Sequence, residues 1–467
     1  MKKLFCILLV LCMLLSLTAC APAETQLREE VTSWLKAGFG RVDITPHYSI
    51  GLDGSGNSET RRSKEVADNL YMTCVALTDD TTTILVYTVD NLGINANSAN
   101  LLRNQICMGT GIPVGNIFFG ATHTHSAPDI RQKDEPGIEY LGTFIEAAVS
   151  AAHIALGDLS PALPQAGTGD LPGMNFVRHY KMSDGSYAGS NFGTFDGLEI
   201  VDYAGSADPE LSLIKFQRGG DKQDILLMNW QAHPNRSTEI GYYKISADFV
   251  GAARSRLEEE TGMLVAYFTG ASGNVHIDSK IKEDSHGLSW KKYGEKLADM
   301  TMELLPGLEA VGGTGIATTY VNHHAPVDHS WEDSLDAAQE VYDLWKSKDK
   351  TSGDELGKQY GFTSVYQARS IIERAKLGKT LGCDLYAFRV GDLGFTTGTY
   401  EMFSEAGKYV KDNSPFPVTF VITGNLIYIP TEAAYEYRCY EADTGYYAAG
   451  TSEALAEKYV EMLTSLK

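Results

Sequence analysis

Asn116-Ile117-Phe118-Phe119-Gly120-Ala121-Thr122-His123-Thr124-His125-Ser126 places a short apolar run directly in front of two histidines. The run is too short for a helix and rich in aromatic and β-branched residues, so it predicts a buried strand ending near His123. Upstream, Ile84-Leu85-Val86-Tyr87-Thr88-Val89 has the same character, and residues 98–108 between the two carry a helical period with Leu101, Leu102 and Ile106 near one face. Downstream, residues 140–156 read as an alanine-rich helix, and residues 225–230 and 264–268 as strands around a helix at 247–260. Strands resume at 386–390, 393–397 and 418–423. This alternation argues an α/β fold: one large domain with a parallel or mixed β-sheet core, flanked by helices and carrying its site at strand ends.

Two stretches break the alternation. Residues 172–208 are rich in Gly, Asn, Ser and Asp, which predicts a long functional loop. Residues 330–379 are mostly helical in pattern, with Leu335, Ala338, Val341, Tyr342 and Trp345 at core spacing. Neither stretch reads as a linker.

The N-terminus reads as an address. Lys2 and Lys3 precede a nearly unbroken apolar run from Leu4 to Leu17, too short to span a membrane comfortably. Leu17-Thr18-Ala19-Cys20 then has the form of a lipobox, so residues 1–20 are expected to be a lipoprotein signal whose Cys20 is acylated. Residues 21–36 are expected to be a short tether and 37–467 the catalytic domain, held outside the cytoplasm on a bacterial membrane through Cys20. Without Lys2 and Lys3 the chain carries 37 basic against 60 acidic residues, which disfavours nucleic acid as a partner; no protein partner is implied. Cys74, Cys107, Cys383 and Cys439 are widely spaced, with no CxxC pair, and are expected to be free and buried.

Four places set polar groups behind apolar strands. His123 and His125 are two residues apart, a spacing that puts both imidazoles on one side of an extended chain. His233 follows the strand at 225–230 and precedes Pro234. Glu401 follows the strand at 393–397, although an acid there also suits a helix N-terminus. Tyr428 opens a segment dense in tyrosine, a composition that by itself indicates packing.

Read in order, Gly38-Phe39-Gly40-Arg41-Val42-Asp43-Ile44-Thr45, Thr122-His123-Thr124-His125-Ser126-Ala127-Pro128, Ala232-His233-Pro234, Ser246-Ala247-Asp248-Phe249 and the glutamate and tyrosine segments resemble the neutral, non-lysosomal ceramidase family. The resemblance runs from about Ala37 to the C-terminus and corresponds to the family's catalytic domain, without its immunoglobulin-like C-terminal domain. It implies a zinc ion held by His123, His233, Glu401 and Tyr428, with His125, Arg178 and Tyr440 lining the site. Zinc accepts imidazole and carboxylate ligands and keeps a position for water when catalytic, so the expectation is hydrolysis of the amide of an N-acyl lipid such as ceramide, to fatty acid and amine, by zinc-bound water. One segment departs from the family: a Gly-Asp-Val-Ser-Pro type stretch is here Gly273-Asn274-Val275-His276-Ile277, placing His276 where the family has a serine. His276 is therefore a further candidate, as a base or as a wall residue. A different N-acyl amide or an ester remains open as substrate, as does a non-catalytic surface lipoprotein that binds a ligand or metal. A serine hydrolase is disfavoured because no Gly-x-Ser-x-Gly elbow occurs.

Overall fold

The structure is a computed structural model that describes residues 29–347, 349–423 and 427–467. The expected signal with Cys20, and the tether as far as residue 28, lie outside the described residues.

The larger sheet is built from β1 (Lys36–Asp43), β2 (Tyr71–Thr78), β3 (Thr83–Val89), β4 (Ile117–Ala121), β5 (Ser160–Asp170), β6 (Glu210–Arg218), β7 (Ile225–Trp230) and β8 (Leu264–Thr269), in the order β8-β7-β6-β5-β1-β2-β3-β4, with the short strand Glu309–Ala310 paired to β5 off this path. Two neighbouring pairs, β3 with β4 and β7 with β8, are parallel; the others are antiparallel. The sheet is thus mixed, as expected, but mainly antiparallel. Each parallel pair needs a crossover, supplied by helices α1 (Ala96–Thr110) and α3 (Asp248–Thr261), while α2 (Glu135–Gly157) leads from β4 towards β5.

The halves β1–β4 and β5–β8 are joined between β1 and β5 by only two residue pairs, Lys36 with Pro161 and Ala37 with Ser160. The far ends of the path then meet again: the Thr269 hydroxyl donates to the Thr122 carbonyl at 2.8 Å, and the Thr88 hydroxyl donates to the Tyr267 carbonyl. The C-terminal ends of both parallel pairs are thereby brought together.

A second sheet, β9 (Ile316–Pro326), β10 (Thr380–Val390), β11 (Leu393–Gly398) and β12 (Val418–Ile422), packs on the first. Period-2 alternation assigns the faces. In β2, Val75 and Leu77 join a core shared with Phe388, Phe395 and Phe420, whereas Cys74 and Ala76 face α1 and α2. In β10, Leu385 and Ala387 turn away from that core towards α10 (Thr451–Leu466). Strands buried on both faces explain why the sequence shows continuous apolar runs.

Helix α2 is long and apolar enough to cross a membrane by length and composition. Its Tyr140, Phe144, Ala147 and Ala151 are nevertheless buried in the core beside β1 and β2. Gly38 and Gly40 allow its close approach, since a β-carbon at either would lie 2.0 Å from the Ala155 carbonyl oxygen or 2.1 Å from that of Ala151. In α1, Leu102 and Ile106 are buried as expected but Leu101 is exposed; Ala99 and Arg103 complete the buried face.

The expected loop at 172–208 is mostly loop, but it carries a small antiparallel sheet of His179–Met182, Tyr187–Gly189 and Ile200–Tyr203, pinned by Tyr180, Met182 and Ala188. Its turn-rich composition belongs to the connections and hid strands of three and four residues. Residues 330–379 form the helices α5 (Leu335–Lys346), α6 (Lys350–Gln359) and α7 (Val365–Arg374), with their own core around Val341, Phe362 and Ile371. Cys74, Cys107, Cys383 and Cys439 are free; Cys107 is half-buried and the other three are buried.

Candidate metal centre

Three histidines converge where β4 and β7 end. The spacing argument placed His123 and His125 on one side of an extended chain, and they do share a site, with ring centroids 5.1 Å apart. The cause is different. β4 stops at Ala121, and His123 is left-handed, with φ +67°. Such a conformation in a residue with a β-carbon persists only where its surroundings hold it. Here the His123 amide donates to the Asn91 carbonyl and its Nδ1 lies 2.6 Å from the Leu92 carbonyl oxygen. His233 is held likewise, its Nδ1 3.0 Å from the Ser272 carbonyl oxygen, and His125 by the Gly54 carbonyl oxygen at 2.7 Å.

Each carbonyl accepts only from an N–H, which assigns the proton to Nδ1 and leaves the Nε2 lone pair free in all three rings. The Nε2 atoms of His123 and His233 face each other at 3.0 Å. Glu401 Oε2 lies 3.3 Å from the first and 3.7 Å from the second, buried and with no hydrogen-bond donor. His125 Nε2 is also buried and unpartnered, and the ligand atoms of His123, His125 and His233 lie within 4.8 Å of one another. Convergent lone pairs and a bare carboxylate oxygen repel one another unless a cation lies among them, so the residues fit a metal ion. Burial and neighbouring His123 push the basicity of both His125 and His233 well down, which keeps the imidazoles neutral and fit to ligate.

Glu401 and Tyr428 come from separate segments but sit side by side in a two-stranded parallel pair, Glu401–Met402 with Tyr428–Ile429. Burial and the Glu401 carboxylate hold the Tyr428 phenol well above its ordinary range. Tyr440 packs edge-on against Tyr428, with ring centroids 6.2 Å apart.

Arg178 follows the two-residue strand Phe176–Val177, which pairs with Val275–His276. Its guanidinium donates to the Tyr428 hydroxyl at 3.3 Å, the Gly273 carbonyl at 2.8 Å and His276 Nε2 at 3.1 Å, and to the Glu441 carboxylate. His276 therefore stands beside the centre with its basic nitrogen already occupied, and burial and Arg178 depress its pKa to about 3. Asn274 accepts from the Ser404 amide at 2.9 Å and donates to Glu405 at 3.0 Å, capping helix α8 (Ser404–Asp412) from outside.

Glu441, His179 and Gly54 were missed in the sequence. Glu441 and His179 are neighbours of the candidates Tyr440 and Arg178, a weak signal that was available. Gly54 lies in Gly51-Leu52-Asp53-Gly54-Ser55-Gly56, a turn-forming run that carries no chemistry of its own.

No protein-family model matches the chain, and no curated protein sequence is significantly similar to it. The fold is that of the ceramidases. Neutral ceramidase from Pseudomonas aeruginosa superposes with a TM-score of 0.68 at 16% identity, over 94% of this chain and 75% of that one. A ceramidase solved in complex with C2 gives 0.66 at 15% identity, with the same coverage.

Proposed function

We propose that this chain is a zinc-dependent hydrolase that cleaves the amide bond of an N-acyl lipid, with ceramide as the leading substrate, on the outer face of a bacterial membrane to which Cys20 anchors it. The observation that carries the proposal is the meeting of His123, His233 and Glu401 lone pairs within a ceramidase fold. His123, His233, Glu401 and Tyr428 would hold the ion. Zinc bound there supplies Lewis acidity towards the amide carbonyl and makes water acidic near neutral pH.

The remaining chemistry belongs to side chains. His125, with Nδ1–H tied to Gly54, offers Nε2 as the base that takes a proton from the attacking water. As the water oxygen bonds to the carbonyl carbon and the C–N bond breaks, the same nitrogen returns the proton to the departing amine. Arg178 supplies positive charge beside the developing oxyanion, and the Tyr440 hydroxyl supplies a donor. Burial and Glu441 raise the Tyr440 phenol to about 12, so it stays protonated at neutral pH.

The test is zinc content and hydrolysis of a fluorescent short-chain ceramide by the intact protein in mild detergent. About one zinc per chain with amine release, both lost in His123→Ala, is the expected result. Zinc without turnover on ceramide or other N-acyl amides would leave a metal-binding surface protein. Turnover without zinc would sink the proposal.

A further inference from the structure

Behind Arg178 lies a second buried cluster, His179, Cys439 and Glu441, whose ligand atoms lie close enough together to bind a metal. A cation does not belong there. Glu441 already pairs with Arg178 through Oε1 and with His179 Nε2 through Oε2 at 2.9 Å, and His179 Nδ1 meets the Tyr437 hydroxyl at 2.9 Å. Both Glu441 oxygens and both His179 ring nitrogens are thus already engaged, and Arg178 supplies a permanent positive charge beside the carboxylate.

We infer that Glu441 is a positioning residue: its carboxylate fixes the Arg178 guanidinium, and thereby ties helix α9 (Tyr440–Thr444) to the metal centre. Three observations support this. The Glu441 side chain is fully buried and that of Arg178 nearly so, at 0% and 6% exposure, so the pair is little screened. Arg178 spreads its donors over four acceptors from three segments, and Glu441 is the only carboxylate among them. Glu441 directly follows Tyr440, so one turn of helix sets both the clamp and the candidate donor. The helical lobe braces that turn: the Thr363 hydroxyl donates to Asp443 at 2.5 Å, and the Ser370 hydroxyl to the Thr444 carbonyl at 3.0 Å.

The role of Arg178 in turnover rests on the hydrolase reading; the clamp itself does not, and the test separates them. In intact protein labelled with 15N-arginine, the Arg178 guanidinium signals, identified by their loss in Arg178→Lys, should be resolved and slow to exchange with solvent. Glu441→Gln, which keeps the shape and removes the charge, should broaden them or speed exchange at least about tenfold. Zinc content should be unchanged, and kcat on the fluorescent short-chain ceramide should fall about 10–100-fold with KM little altered, the range for partners of site residues. Unaltered guanidinium signals, or unaltered kcat with altered signals, would overturn the inference. If wild type cleaves no N-acyl amide, the hydrolase reading falls and the signals alone decide the clamp. Should Glu441→Gln not fold, Glu441→Asp keeps the charge but shortens its reach. It should shift the same signals with a smaller loss of kcat, and no shift would count against the clamp.

Discussion

Holding His123 at φ +67° costs of order 1–3 kcal/mol, a strain the fold bears to point Nε2 at its counterpart on His233. Electron pairs set that close need a cation, and Glu401 supplies the negative charge. Glu401→Gln, which removes the charge and keeps the shape, should therefore weaken zinc binding by at least the roughly 10–100-fold seen for outer partners of metal ligands, measured by competition with a chelator. His125 has a different dependence. It is oriented by Gly54, at φ +89°, where a β-carbon would lie 2.7 Å from the imidazole. Gly54→Ala should displace His125 and lower kcat at least tenfold while zinc content stays near wild type; loss of zinc instead would make His125 a ligand rather than a base. The histidines were legible in the sequence through the ordered motifs that resemble the ceramidases, since an imidazole behind an apolar strand is a weak signal alone, whereas their tautomers were not. The Leu92, Ser272 and Gly54 groups that fix them are backbone carbonyls, which every residue type offers.

Among the elements, α3 shows how a helix start serves the site. Asp248 opens it at φ +58° and is fully buried, accepting from the Arg236 amide at 2.7 Å and the Phe249 amide at 2.6 Å. It thereby anchors the turn after His233. Burial raises its pKa to about 7, and burial raises that of nearby Asp68 to about 6. An acid whose folded pKa lies above its unfolded value contributes stability below the unfolded value and loses it as pH rises through the folded one. Asp248→Asn removes that loss, so its melting temperature relative to wild type should improve from about pH 5 to about pH 7 and level off above it. A difference that stays flat with pH would show that Asp248 titrates normally. The elements were readable in part: the strands Lys36–Asp43, Tyr71–Thr78, Ser160–Asp170, Glu210–Arg218 and Ile316–Pro326 were not expected. The helix expected at 247–260 is Asp248–Thr261, and the strand expected at 225–230 is Ile225–Trp230. The two-residue pair that sets Glu401 beside Tyr428 carries no periodicity, and its register comes from the partner segment.

For the whole molecule, the four expected ligands lie on segments between residues 123 and 428, so a bound ion cross-links both halves of the larger sheet and the strand pair beyond the second sheet. Binding to the folded state alone adds about 2.7 kcal/mol at a hundredfold excess over Kd. Chelation should accordingly lower the melting temperature of wild type and leave that of His123→Ala unchanged. The expected lipid anchor is tested separately: the intact chain should partition to the membrane fraction, and Cys20→Ala should release it.

The sequence by itself determined the α/β class, the parallel strand pairs with their crossover helices, and which residues are chemically able to hold a metal, because apolar periodicity and residue type are local properties. Only the tertiary structure decided that the larger sheet is mainly antiparallel and that its far ends meet. It also decided that three short stretches within residues 172–208 pair as strands and that Arg178 is held by Glu441. Each of these depends on contacts between segments tens to hundreds of residues apart, where hydrogen bonds and buried charge select the partner and no local pattern records the choice.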